Sequence, residues 1–270
     1  MPPRRPVLCG IRVRTRRTSA ASSIIWRCSS TATEGVWRSR TRRGGSASSI
    51  GAAQRAIAPR WDRFAALYSA GADANTLRVE FLGPLSAAER AVAFAKRDIP
   101  DDRRATMFAI GQSGRDRFLD KDHYRGWLWL VSLAIVFEVD EGTFDRVVDA
   151  AEFGWGGSAA GPSDRRPDHP VGDDLMLPRV VGALDRAFEA KSRESAEEAV
   201  AQYLAKWYPA WKGVSRWGGH ALVPKKKVYV GYWAFEAVAV TAALGLDDSV
   251  FRADEHYPQD LASPAAASGS

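Results

Sequence analysis

Four histidines, three pairs of adjacent aspartates and one lone glutamate are the side chains here with the types to do chemistry. The histidines are His123, His169, His220 and His256. None stands four residues from another, the helical spacing that puts two imidazoles on one zinc ion, and no cysteine joins them. Cys9 and Cys28 are the only cysteines. The chain beyond them has neither a disulfide frame nor a thiolate metal site, which fits a reducing cytoplasm. The expectation is no metal and no cofactor. A GxSxG nucleophile elbow is absent. The glycine-rich stretch GWGGSAAG at 154–161 lacks the Lys-Ser/Thr that follows a phosphate-cradling loop, and no strand precedes it, so it reads as a connection.

The acid pairs are Asp101-Asp102, Asp173-Asp174 and Asp247-Asp248. Asp173-Asp174 opens a helical pattern, where carboxylates complement the positive helix end. Asp247-Asp248 follows a glycine stop and reads as a cap for a short turn. Glu236 is different. It is the only charge between Val228 and Leu244, and a carboxylate among apolar residues is costly unless it is partnered. Arg216, His220 and Lys225 to Lys227 are the expected partners. The reading is a structural acid rather than a catalytic one. An enzyme would instead need Glu236, Asp247 and Asp248 to converge on a pocket.

These residues sit on an element that organises the chain. Val228 to Leu244 is apolar nearly all round, the mark of a buried helix. It falls short of the roughly 20 residues a membrane crossing needs. Trp233 is expected in the core. Gly245 supplies a left-handed stop, and Tyr257-Pro258 closes the element.

Upstream, Trp61, Phe64, Ala65, Leu67 and Tyr68 repeat with helical period, and Gly71 ends the run. Asp73 or Asn75 caps the next helix, which carries Leu77, Phe81 and Leu85. Pro84 is expected to kink or break it, with helix resuming from Ala87 to Lys96. Tyr124 to Glu138 is a second buried helix, and Thr143 caps a helix from Phe144 to Phe153. Leu175 to Ala190 is amphipathic. Ser195 with Glu198 forms a capping box that opens Ala196 to Trp207. Strand signals are sparse, so the fold class is all-α: a two-part helical bundle around a buried C-terminal helix, with a disordered N-terminal segment. The expected parts are 56–153 and 172–261, joined by a linker at 154–171, with a tail at 262–270.

The net charge of +6 divides unevenly. Residues 1–60 hold 13 Arg against Glu34 alone, a balance of +12, which leaves −6 on the rest. Residues 1–55 show no periodicity of 3.6 or 2 and read as disordered. Their favoured reading is a stretch translated from a wrong start or frame. A basic arm for nucleic acid and a transit peptide are the alternatives. No signal-peptide layout is present.

The organising element also carries a likeness. Gly231, Tyr232, Trp233, Phe235, Glu236 and Ala239 spell GYW-x-FE-x-x-A. Gly245, Asp247, Asp248 and Ser249 follow, then Tyr257, Pro258, Asp260 and Leu261. This pattern resembles the C-terminal domain of the PoNi family, bacterial immunity proteins that neutralise PoNe-type DNase toxins of polymorphic and type VI secretion systems. The likeness extends more loosely through Tyr203, Trp207 and Trp211, and WDRFAALYSAG at 61–71 resembles the end of the family's N-terminal helical domain. The resemblance implies a cytoplasmic immunity protein that is not an enzyme and needs no cofactor. Its partner would be a cognate DNase toxin, with no membrane and no direct nucleic-acid contact. The motif positions carried over are Tyr232, Trp233, Glu236, Asp247, Asp248, Tyr257, Pro258 and Asp260. Because a DNase is basic where it meets phosphate, the exposed acids Asp173, Asp174 and Glu194 are the expected partner-binding residues.

Overall fold

The computed structural model describes residues 7–8, 11–15, 22–26, 56–98, 117–154, 178–214, 217–222 and 230–262. Seven α-helices lie among them: α1 (Ile57–Ser69), α2 (Ala74–Asp98), α3 (Arg117–Val136), α4 (Glu141–Gly154), α5 (Pro178–Glu189), α6 (Arg193–Ala210) and α7 (Phe235–Leu244). From residue 56 onward every α-helix or 3-10 turn described is helical in type, and the body is all-α. Asp101-Asp102, the 155–171 part of the expected linker, His169, Asp173, Asp174, Arg216, Lys225 to Lys227 and 263–270 fall outside the described residues.

The first segment holds an element that the sequence reading gave no period to. Strands β1 (Val7–Leu8), β2 (Ile11–Thr15) and β3 (Ser22–Trp26) form an antiparallel sheet in the order β1-β2-β3. Val13 pairs with Ile24. The reason is local. Ile11, Val13 and Thr15 alternate with Arg12 and Arg14, a period of two over one short strand, and Ile24, Ile25 and Trp26 favour a pleated backbone.

In α1, Trp61, Phe64, Ala65 and Tyr68 are buried at the spacing of one helix face. The helix ends at Gly71, whose φ of 80° is left-handed. Asp73 caps α2 by accepting from the Asn75 and Thr76 amides at 2.9 and 3.0 Å. The expected break at Pro84 does not occur. α2 runs unbroken through it, burying Leu77, Phe81, Leu85 and Ala88 on one side. A proline forfeits one ladder bond, and this apolar face outweighs that loss.

α3 buries residues on nearly every side, including Tyr124, Trp127, Leu128, Trp129, Val131 and Leu133. Gly126 lets it approach α1: a Cβ there would stand 3.2 Å from the Trp61 indole nitrogen. Two expected caps shift by one turn. Asp140, not Thr143, caps α4, accepting from the Thr143 amide at 2.9 Å. Ser192, not Ser195, caps α6, accepting from the Ser195 amide at 3.2 Å. In each case a side-chain acceptor three residues earlier takes the amide of the expected cap residue itself, so the helix starts a turn sooner.

α7 is shorter than expected. It starts at Phe235, not near Val228, because Gly231 adopts φ 83° and residues 231–234 are not helical. A side chain at 231 would collide with the Trp233 indole and the Ser69 hydroxyl. Gly245 closes α7 in the left-handed region as expected. α7 packs against α3, α5 and α6, and β3 lies against α7 and α5. One continuous apolar core runs from Trp61 to Leu261 through both expected parts.

Candidate functional site

Glu236 lies in the first turn of α7 with 0% of its surface exposed. Its partners among the described residues, to which the expected Arg216 and Lys225 to Lys227 do not belong, do not include the expected His220. They are three aromatic donors from two other helices. The Trp129 indole of α3 donates to Oε2 at 2.9 Å. From α6, the Tyr203 hydroxyl and the Trp207 indole both donate to Oε1 at 2.5 Å. Trp211 donates to the Tyr203 hydroxyl at 3.3 Å, extending the chain of bonds. An indole N–H can only donate, so both oxygens of Glu236 serve as acceptors.

Burial pushes the Glu236 carboxyl above the ordinary glutamate range, while the bonds from Tyr203, Trp207 and Trp129 pull the other way. Burial, and the neighbouring Glu236 charge, push the Tyr203 phenol well up. Among the described residues the cation beside the cluster is Arg125. Its guanidinium sits over the Trp129 ring at 5.0 Å and pairs with Asp122 at 3.2 Å. Burial drives Arg125 down, and the charges of Asp122 and Glu236 hold it up. The positive charge thus reaches Glu236 across an indole rather than by contact.

Each remaining motif residue has its own structural duty. Phe235 is the buried aromatic of the motif, edge-on to Phe64 and Trp129. Trp233, expected in the core, is only half-buried. It donates to the Ser69 hydroxyl at 2.8 Å and meets the Tyr68 ring edge-on. The non-helical backbone at 231–234 swings it off the axis of α7, so it bridges to α1 instead. Tyr232 accepts from the His220 amide at 3.2 Å.

Asp247 is exposed, with its carboxylate on the Ser249 amide at 3.0 Å and its own amide on Glu197 at 2.8 Å. Hydrogen bonds from Ser249 hold it below its ordinary range. Asp248 is buried, paired with Arg252 at 2.6 Å and bonded by the Tyr257 hydroxyl at 3.3 Å. Pro258 is buried and starts the 3-10 turn Gln259–Leu261. Burial, and then the Asp260 carboxylate, push the Tyr68 phenol up to about 12. Glu194 is exposed in the first turn of α6, as a partner-binding residue requires.

Among the described residues Glu236, Asp247 and Asp248 therefore share no hydrogen-bond or ion-pair partner. Trp129, Arg125 and the bonds of Tyr203 and Trp207 to Glu236 are what sequence reasoning missed, although it set Tyr203 and Trp207 on one face with Ala199, Val200 and Leu204. Their signal was present: Tyr203, Trp207 and Trp211 recur every four residues, so three hydrogen-bonding aromatics line one face of α6. Among the described residues, no group of three or more His, Cys, Asp or Glu is placed to hold a metal ion, and no helix is long and apolar enough to cross a membrane.

Residues 53–149 match the model of the PoNe immunity protein (PoNi) N-terminal domain, and residues 163–261 match that of the PoNi C-terminal domain. The chain belongs to the PoNi family: it is an immunity protein against PoNe toxins, not an enzyme, and its partner is the cognate PoNe toxin. No curated protein and no solved structure matches it.

Proposed function

We propose that this chain neutralises a PoNe-type DNase by direct association in the cytoplasm, as part of a polymorphic or type VI secretion system, without touching nucleic acid or membrane itself. The observation that carries this reading is the division of its acids. The motif carboxylates Glu236 and Asp248 are turned inward and satisfied, yet residues 61–270 still carry a balance of −6. A nuclease has to gather positive charge where it holds phosphate, and an acidic protein is drawn to that charge. Glu194, on the surface, together with Asp173 and Asp174, belongs to the proposed contact set.

Co-expression with the toxin encoded beside this gene tests the proposal. Cells should keep intact DNA, and the purified pair should migrate as one complex. Raising salt from about 0.05 to 0.5 M should slow association strongly and alter dissociation less, because charge acts mainly on the encounter and is screened within about 8 Å at physiological ionic strength. Degraded DNA despite soluble immunity protein, with no complex formed, would refute it.

A further inference from the structure

The outer face of α2 exposes two large apolar side chains. Val79 is 70% exposed and Leu82 46% exposed, three residues apart on one helix side. Ser86, Ala93 and the exposed bases Arg90 and Arg97 continue that side toward the helix end. Most large apolar side chains of this body are buried; these two have no core to reach, because α2 turns Leu77, Phe81 and Leu85 inward.

The neighbouring helix supplies charge. Residues 138–154 hold six acids and one base, a net of −5. Glu141, Asp145 and Asp149 recur every four residues along α4 and are all exposed, and Glu138 and Asp140 stand exposed just before it. The single base, Arg146, is already engaged: it grips Glu89 of α2 at 2.7 and 2.9 Å. That pair fastens the two helices edge to edge. Glu89 lies seven residues from Leu82, on the same side of α2, so the apolar pair and the acidic row border the same seam. Apolar anchors beside a charged rim are the anatomy of a protein interface.

We propose that this α2–α4 face is a docking surface and that its occupant is the basic, DNA-holding face of the cognate toxin. The proposal rests on the reading above and deepens it by naming the surface. The acids of α4 meet the cationic cleft and set the rate of encounter, and Val79 and Leu82 seat on apolar residues at its border and set the lifetime. The surface belongs to the N-terminal part, away from the conspicuous C-terminal motif.

Two variants of the full chain and a purified, catalytically inactivated cognate toxin test this by association kinetics. Glu141→Lys/Asp145→Lys/Asp149→Lys should lower the association rate at least about tenfold at low salt, with the melting temperature held. Val79→Ser/Leu82→Ser should leave association within about threefold and raise dissociation at least about tenfold, again with the melting temperature held. Unchanged rates for both variants, while the wild type binds and protects, would overturn the docking surface and leave the function standing. An effect of the lysine variant without any effect of the serine variant would reduce the face to long-range steering, which also overturns docking. A wild type that binds no toxin at all overturns the functional reading and this surface with it.

Discussion

Glu236 and Asp248 are buried carboxylates in one motif, solved in opposite ways. Glu236 is held by neutral donors that arrive from α3 and α6, far away in sequence. Asp248 is held by a cation four residues on and a phenol nine residues on, within its own loop. The first acid is a junction that joins three helices. The second is a staple that shapes one turn, and its arginine stays half in water, where an ion pair is worth little. The comparison teaches that an acid in a shared motif marks a place where the fold must be closed, and that its partners decide whether the closure is global or local.

Removing the junction should do the most damage. Glu236→Leu leaves the Trp129, Trp207 and Tyr203 donors buried without an acceptor and takes from Arg125 one of the charges that hold it, at a cost of about 3–5 kcal/mol. Little soluble protein should accumulate. A Glu236→Leu variant that melts like the wild type would erase the distinction between junction and staple.

Asp248→Asn should be milder, about 1–2 kcal/mol, because only one loop loses its bonds. Trp233→Ala should fall in the same range, below the roughly 3–5 kcal/mol of a fully buried aromatic, since Trp233 is half in solvent. Thermal melting of both, set beside Glu236→Leu, ranks the three. If Asp248→Asn proves the worst, the comparison is inverted.

The junction also titrates. A raised carboxyl keeps its proton longer in the folded state than in the unfolded chain, so the stability it contributes is greatest below its unfolded value, about 4.3, and declines as pH rises through the folded one. The stability advantage of the wild type over Glu236→Gln should therefore shrink from acidic pH toward neutrality. An advantage that grows over that range would mean that the donors outweigh burial.

The smallest effect is expected from the first segment. A chain beginning near residue 56 should keep the full-length melting temperature, because the helices from α1 onward share a continuous apolar core of their own. Since 1 kcal/mol is worth about 2–4 °C at this size, a fall of more than a few degrees would make β1 to β3 part of the working fold.

Helix existence was legible wherever one face repeats, as in α1, α2 and α6, because burial of that face is what forms the helix. Helix starts were less legible, because Asp140 and Ser192 compete with equally suitable caps three residues later. The beginning of α7 was hidden for another reason: Gly231 and the aromatic pair beside it read as apolar helix, while their packing against Ser69 requires a turn. The burial of Glu236 was visible from its isolation among apolar residues. Its partners were not, because a carboxylate calls to mind a cation, and only the tertiary fold brings Trp129 beside Tyr203 and Trp207. The exposure of Val79 and Leu82 was equally out of reach, since apolar side chains on an apolar-rich helix carry no label of inside or outside until α1 and α4 are in place.

The central claim is that the motif builds the protein while another surface meets the toxin. Glu236→Gln tests it most directly, because it keeps the shape and part of the bonding. Its melting temperature and its dissociation constant for the cognate toxin should be measured on one preparation. The account predicts a melting temperature lowered by several degrees, with binding within about threefold of the wild type once folded. An unchanged melting temperature with binding weakened tenfold or more would place Glu236 in the interface and contradict the account.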